Sequence, residues 1–234
     1  MRPGALFDDL ALPAHSVPGE AEEFMRELRA EGPVVGTDEA GRGPLAGPVV
    51  AAAVCLTEEQ EGKLITLGLR DSKRMTARGR ERLFDAMREM GVLWRAQAAT
   101  VERIEGEDIL RASLWAMGRS ALRVAELLPV KPACVVVDGP VRIPDLGLPQ
   151  WPLVGADALL PVVSAASVAA KVLRDRIMTA LDSRYPGYGL ARHKGYPTPA
   201  HREAVQRLGL SPVHRRSFCK KLLTYQDQGK VREE

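Results

Sequence analysis

The acidic side chains best placed to do chemistry are those that end apolar runs. Asp38 follows Val34-Val35-Gly36-Thr37, and Asp138 follows Val135-Val136-Val137. Strands deplete aspartate, and a charge at the end of a buried run must be paired or bound to a cation. If the two runs are neighbouring strands, both carboxylates lie at one sheet edge, where open α/β sheets bind ligands. Asp157 follows a further strand candidate, Pro152-Leu153-Val154, and reads as a third member of the same edge. Three or four carboxylates there would repel and raise their own pKa values unless a divalent ion sat among them. Oxygen donors without nearby histidine favour Mg²⁺ or Mn²⁺ over zinc. Each aspartate alone also reads as a turn residue. Glu39 alternates to the opposite face of a regular strand, so it joins the site only if the strand breaks there.

Two loops could serve a phosphodiester near such a cage. Gly41-Arg42-Gly43 offers bare backbone for close approach, with a guanidinium suited to phosphate, although such a triplet alone is more often just a turn. His193-Lys194-Gly195-Tyr196-Pro197-Thr198 is base-rich and carries an aromatic. An aromatic that stacks on a sugar or base beside phosphate-binding cations is a usual nucleic-acid arrangement. The plainer alternative is a tyrosine that packs the loop onto the core. Lys73, in Asp71-Ser72-Lys73, adds a cation near a helix start.

The elements that must position these groups follow from periodicity. Residues 20–31 read as a short helix with Phe24 and Leu28 on one face, ended by Gly32-Pro33. Val34–Thr37 and Val49–Leu56 read as strands joined by the Gly/Pro-rich loop 40–48. Thr76 is an expected N-cap for a helix to Met90, and Val92–Ala99 is a third strand. Glu102–Leu128 suggests one or two helices. Cys134–Val137 is a continuous apolar run of the kind buried on both faces of a parallel sheet. Ser164 to about Leu181 reads as a helix, alanine-rich on one side, with Lys171, Arg174, Asp175 and Arg176 on the other. A last helix is expected from Thr198. The order predicts an antiparallel set fused to parallel strands, a mixed α/β sheet with helices on its faces.

Composition narrows the class. A chain of 234 residues with 45% hydrophobic and 27% charged residues suits one domain with an appendage and is too apolar for disorder. The apolar run 49–56 is far too short to span a bilayer, and the acid-bearing first thirty residues do not resemble a secretory or transit signal. Cys55, Cys134 and Cys219 lack metal or redox spacing and read as reduced thiols of a cytoplasmic protein. The net charge of +3 conceals an asymmetry. Residues 171–234 carry 14 Lys and Arg against 6 Asp and Glu, whereas the preceding part carries 19 against 24. A basic C-terminal quarter fits a polyanionic partner, or simply a solvated surface.

Taken in order, these blocks resemble ribonuclease HII, the type 2 ribonuclease H family. The matching stretches are Gly36-Thr37-Asp38-Glu39-Ala40-Gly41-Arg42-Gly43-Pro44-Leu45, Asp71-Ser72-Lys73, Val137-Asp138-Gly139, residues 164–172 with Arg174-Asp175, Tyr188-Gly189 through Thr198, and His214-Arg215-Arg216-Ser217-Phe218. The resemblance implies an RNase H-like fold: a mixed five-stranded sheet flanked by helices, with a C-terminal helical extension. The expected divisions are 1–30 (a segment with a short helix), 31–182 (the catalytic core), 183–225 (a basic loop and helical region) and a frayed tail at 226–234. It implies endonucleolytic hydrolysis of RNA in RNA–DNA hybrids and at single ribonucleotides in duplex DNA, leaving 5′-phosphate and 3′-hydroxyl ends.

By position, Asp38, Glu39, Asp138 and Asp157 match the family's carboxylates for two divalent cations, Mn²⁺ or Mg²⁺, which would sit about 4 Å apart on the scissile phosphate. The Gly41-Arg42-Gly43 loop matches the one that senses the ribose 2′-hydroxyl through its backbone. Tyr196 matches the tyrosine at the RNA–DNA junction, and Lys73, His193 and Lys194 are expected substrate contacts. One departure stands out: the family usually has Lys-Gly before its fourth aspartate, where this chain has Gly155-Ala156. A monomer is expected. Gln226 and Gln228 lack the trailing aromatic pair of a sliding-clamp motif, which leaves a clamp contact open. The alternatives on the same acids are a non-cutting hybrid-binding module and another RNase H-like nuclease, such as a junction resolvase.

Overall fold

The computed structural model describes residues 18–69, 75–220 and 222. The Asp71-Ser72-Lys73 motif and the tail with Gln226 and Gln228 lie outside these residues. Five strands form one sheet: β1 (Val34–Ala40), β2 (Val49–Cys55), β3 (Leu93–Ala99), β4 (Cys134–Asp138) and β5 (Gln150–Leu153). Their spatial order is β3-β2-β1-β4-β5. β1 pairs antiparallel with β2, and β2 with β3. β1 pairs parallel with β4, and β4 with β5. The expected mixed sheet is present.

Before the sheet lies α1 (Pro18–Glu31), and between β2 and β3 lie α2 (Glu58–Thr66) and α3 (Ala77–Glu89). Between β3 and β4 come α4 (Val101–Glu107) and α5 (Ile109–Ala125), two helices divided at Asp108, whose φ of 92° no continuous helix allows. After β5 follow α6 (Ala156–Leu159), α7 (Pro161–Arg184), α8 (Leu190–His193) and α9 (Pro199–Leu208), and residues 216–220 are again helical. Thr76 caps α3 by accepting from the Gly79 N–H, and Thr198 caps α9 by accepting from His201. Both hydroxyls meet helix N–H groups that have no partner within the helix. Sequence reading passed over α2, although Thr57 and Gln60 form a reciprocal capping box there.

Helices cover both faces of the sheet, which is why its strands read as continuous apolar runs. On one face Val34, Ala52, Val54 and Val136 pack with Val162, Ala166 and Ala169 of α7 and with Phe84 of α3. On the other, Val35, Ala51, Ala53, Val135 and Val137 pack against Ala112, Met117 and Ala121 of α5. A Cβ on Gly36 would lie 2.7 Å from the Val162 carbonyl, so glycine in β1 lets α7 press directly onto the sheet. A smaller cluster gathers Ala46, Met178, Tyr188, Leu190 and Val205, joining the C-terminal region to the loop after β1.

Candidate active site

Strand parity decides which acids meet. Alternate residues of a strand share a face. Val34 and Gly36 face α7, so Asp38 does too. Cys134 and Val136 also pack on that side, so Asp138 follows them. Thr37 and Val137 are the last paired positions of the parallel β1–β4 ladder. The two aspartates therefore leave adjacent strands side by side. Asp157 arrives from α6, and its N–H lies 3.5 Å from Asp138 Oδ1. One carboxylate oxygen from each of Asp38, Asp138 and Asp157 lies within 4.8 Å of the others.

The departure at Gly155-Ala156 does not prevent this convergence. Gly155 adopts a left-handed conformation, φ 71°, which turns the chain from β5 straight into α6. Ala156 is wholly buried in the core, and Asp157 follows it in the first helical turn, itself buried.

Glu39 is not one of the three whose oxygens converge. Strand β1 does not break there but continues to Ala40. No strand break turns Glu39 toward the aspartates, yet it lines the same pocket and its charge acts on Asp38. Its carboxylate pairs with the Arg42 guanidinium at 3.4 Å.

The electrostatics favour a cation. Burial pushes the Asp38 carboxyl well above its ordinary pKa, and the charges of Glu39, Asp138 and Asp157 push the same way. A Ser167 hydrogen bond opposes them, and the Glu39 N–H donates to Asp38 Oδ1 at 2.6 Å. Glu39 is likewise raised by burial, against the pull of Arg42. Crowded hard oxygen donors at the end of a buried sheet suit a divalent metal ion, whose charge reverses the balance. Asp38, Asp138 and Asp157 are the residues that would hold it.

Around this cage the pocket is lined by Gly41, Arg80, Ser167, Lys171 and Tyr196. Tyr196 is 41% exposed and so is not a residue packed into the core. Its ring sits 5.7 Å from Lys171 Nζ and 5.8 Å from the Arg174 guanidinium. Gly43 is exposed, and a Cβ there would meet nothing within 4 Å. Asp38, Asp138, Gly41 and Tyr196 therefore share one opening.

Two expected contacts lie elsewhere. Lys194 Nζ donates to Thr179 Oγ1 at 2.8 Å and lines a neighbouring cleft with Arg80 and Arg176. His193 braces its own loop: Nε2 lies 2.7 Å from the Tyr188 carbonyl, Nδ1 accepts from the Gly195 N–H, and the ring stacks on His201. Sequence reasoning gave no role to Ser167 or Arg80 at the pocket and grouped Arg174 with the charged side of α7, where it is fully buried. Ser167, Lys171 and Arg174 recur at three- and four-residue steps along one stripe of α7, the signal that could have found them.

Comparison with known proteins agrees with this geometry. The family model described as Ribonuclease HII matches residues 35–221. A ribonuclease HII from Halorhodospira halophila is 52% identical over 186 residues, covering 80% of this chain and 91% of that one. The crystal structure of ribonuclease H2 from Pyrococcus horikoshii superposes with a TM-score of 0.68 at 28% identity, covering 85% of this chain and 99% of that one. The RNase HII of Archaeoglobus fulgidus, solved in complex with PCNA, gives 0.66 at 25% identity over 86% of this chain and 97% of that one. With three aspartates converging at the sheet end and a family match across its core, this chain belongs to the ribonuclease HII family and is a ribonuclease H, an endonuclease of RNA–DNA hybrids.

Proposed function

We propose that the protein cuts the RNA strand of hybrids and also cuts at a single ribonucleotide embedded in duplex DNA, leaving 5′-phosphate and 3′-hydroxyl ends. The observation that carries this is the shared opening: Asp38 and Asp138 line one pocket with Gly41 and Tyr196, and an oxygen of each lies within 4.8 Å of one from Asp157. Two ions, Mg²⁺ or Mn²⁺, held by Asp38, Asp138 and Asp157 would supply a nucleophilic water and charge for the leaving oxygen. The chain's own residues do the rest. Asp38 and Asp138 come from one rigid sheet, so the cage is preorganised. Lys171 and Arg80 place positive charge at the pocket wall for phosphates on either side of the cut. The 2′-hydroxyl is the only group that marks RNA at a given sugar, and of the Gly41-Arg42-Gly43 loop Arg42 and Gly43 are exposed, with open space where a Cβ on Gly43 would lie.

The test is cleavage of an end-labelled duplex carrying one ribonucleotide, with Mn²⁺, Mg²⁺ and EDTA in separate reactions. A single cut at the ribonucleotide that EDTA abolishes is expected. Cutting that survives chelation, or a long hybrid cut while the single ribonucleotide is spared, overturns the proposal.

A further inference from the structure

Among the described residues two arginines are buried completely, Arg174 on α7 and Arg215 just before the helical residues 216–220. A buried guanidinium is costly unless its donors are satisfied. Here main-chain carbonyls satisfy them. Arg215 donates to the Gly47 carbonyl from Nε at 3.0 Å, to the Arg42 carbonyl from Nη1 at 2.9 Å and to the Gly41 carbonyl from Nη2 at 2.7 Å. Arg174 donates to the carbonyls of Pro48 at 3.0 Å, Lys194 at 3.0 Å and Ala46 at 3.2 Å. These acceptors lie in the loop after β1, except Lys194, which lies two residues before Tyr196.

The consequence follows from peptide geometry. All peptides of the described residues are trans. In a planar trans peptide the carbonyl of one residue and the N–H of the next point in opposite directions. With the Gly41 and Arg42 carbonyls drawn inward to Arg215, the N–H groups of Arg42 and Gly43 face away from the core. Arg42 and Gly43 are exposed, so two adjacent donors are presented on the outer side of the loop, next to Gly41 of the pocket wall. A Cβ on Gly41 would fall 2.0 Å from Arg174 Nε, which shows how closely the loop lies on the guanidinium layer. Arg174 also ties this loop to the Tyr196 loop, alongside the Leu45 N–H bond to the Gly195 carbonyl at 2.8 Å.

We propose that Arg215, backed by Arg174, is a positioning residue for ribose selection: it turns the Gly41 and Arg42 carbonyls inward so that the Arg42 and Gly43 N–H groups meet the sugar hydroxyl. This rests on the reading, given above, that this loop inspects the sugar. Lysine cannot replace the fork, because one ammonium is a point charge and does not span three separated carbonyls in fixed directions.

The test compares two duplexes identical but for one ribonucleotide, binding to the full chain carrying Asp138→Asn so that cutting is slow on the timescale of binding. Adding Arg215→Lys is expected to lower the preference for the ribonucleotide duplex by about tenfold, while affinity for the all-DNA duplex holds. A parent with no preference overturns the sugar-reading role of the loop, and this proposal with it. A parent preference that survives Arg215→Lys within about twofold overturns the positioning role alone. If the lysine variant does not fold, Arg215→Ala is measured with guanidinium ion and with ammonium ion. Preference restored by guanidinium only is expected, and failure to restore it overturns the role.

Discussion

Asp38 and Asp138 each lie one residue beyond a partnered pair, Thr37 and Val137, at the ends of adjacent parallel strands. A parallel ladder keeps both chains running the same way, so both aspartates emerge at the same end. Shared strand parity then turns both toward α7, where Ser167 and Asp157 complete the group. The cage is a property of the register: a one-residue slip of β4 would send Asp138 to the α5 side.

Replacing Asp138 by asparagine keeps the shape and removes a charge. Cleavage is expected to fall by about a hundredfold or more, the scale of losing one electrostatic stabiliser. The same change should raise the thermal midpoint of the metal-free protein, because one of three crowded charges is gone. Steady-state cleavage and calorimetry check the two halves.

The carboxyl of Asp38 is raised in the folded state, chiefly by burial. The native protein therefore binds its proton more tightly than the unfolded chain. In metal-free protein this group's contribution is full below its unfolded pKa and declines as pH rises toward the folded value. At neutral pH Mn²⁺ or Mg²⁺ should restore the loss, by about 2.7 kcal/mol at a hundred times the dissociation constant. Asp38→Asn should abolish that metal response in a thermal melt.

His214 shows the opposite sign. Burial pushes it down to about 4, and the neighbouring His201 adds to the shift. Its Nδ1 accepts from the Ser211 N–H at 3.0 Å, and its Nε2 lies 3.1 Å from Nε2 of His201. Neutral rings fit this: His214 donates to His201, whose Nδ1–H reaches the Tyr196 carbonyl at 2.9 Å. The stability is present above the unfolded pKa of about 6.5 and is lost as pH falls toward the folded value. His214→Gln should flatten the melting temperature between pH 7 and 4.5; an unchanged slope would show that other groups set it.

Gly41 and Gly43 differ in what surrounds them. A Cβ at Gly41 meets Arg174 at 2.0 Å with φ +103°, whereas at Gly43 it meets open space. Gly41→Ala should destabilise the fold by more than about 1 kcal/mol. Gly43→Ala should leave the melting temperature unchanged and raise KM for ribonucleotide-containing duplex. Melting curves beside kinetics separate the two effects.

Tyr196 presents an exposed ring in the pocket. Tyr196→Ala should weaken cleavage at a single ribonucleotide by about tenfold, the scale of one lost stacking contact. Tyr196→Phe should keep most of the activity. An equal loss on long hybrids would contradict a role at the junction.

Much of this protein was legible in its residues. Apolar periodicity and caps such as Thr76 and Thr198 located most elements, because those signals are local. The aspartates stood out because acids ending buried runs need a reason to be there, and the parallel pairing of two apolar runs supplied it. Other features depended on residues far apart in the chain. Arg174 reads as a surface cation on a helix until carbonyls more than a hundred residues away are folded over it. Strand alternation alone could not place Glu39, which the structure shows in the pocket of Asp38 and paired with Arg42. Composition and spacing determined the chemistry and the edge at which it sits. Which acids meet, and which way the Gly41 and Arg42 carbonyls face, was decided only by register and by buried guanidiniums, since both are set by contacts that no local pattern encodes.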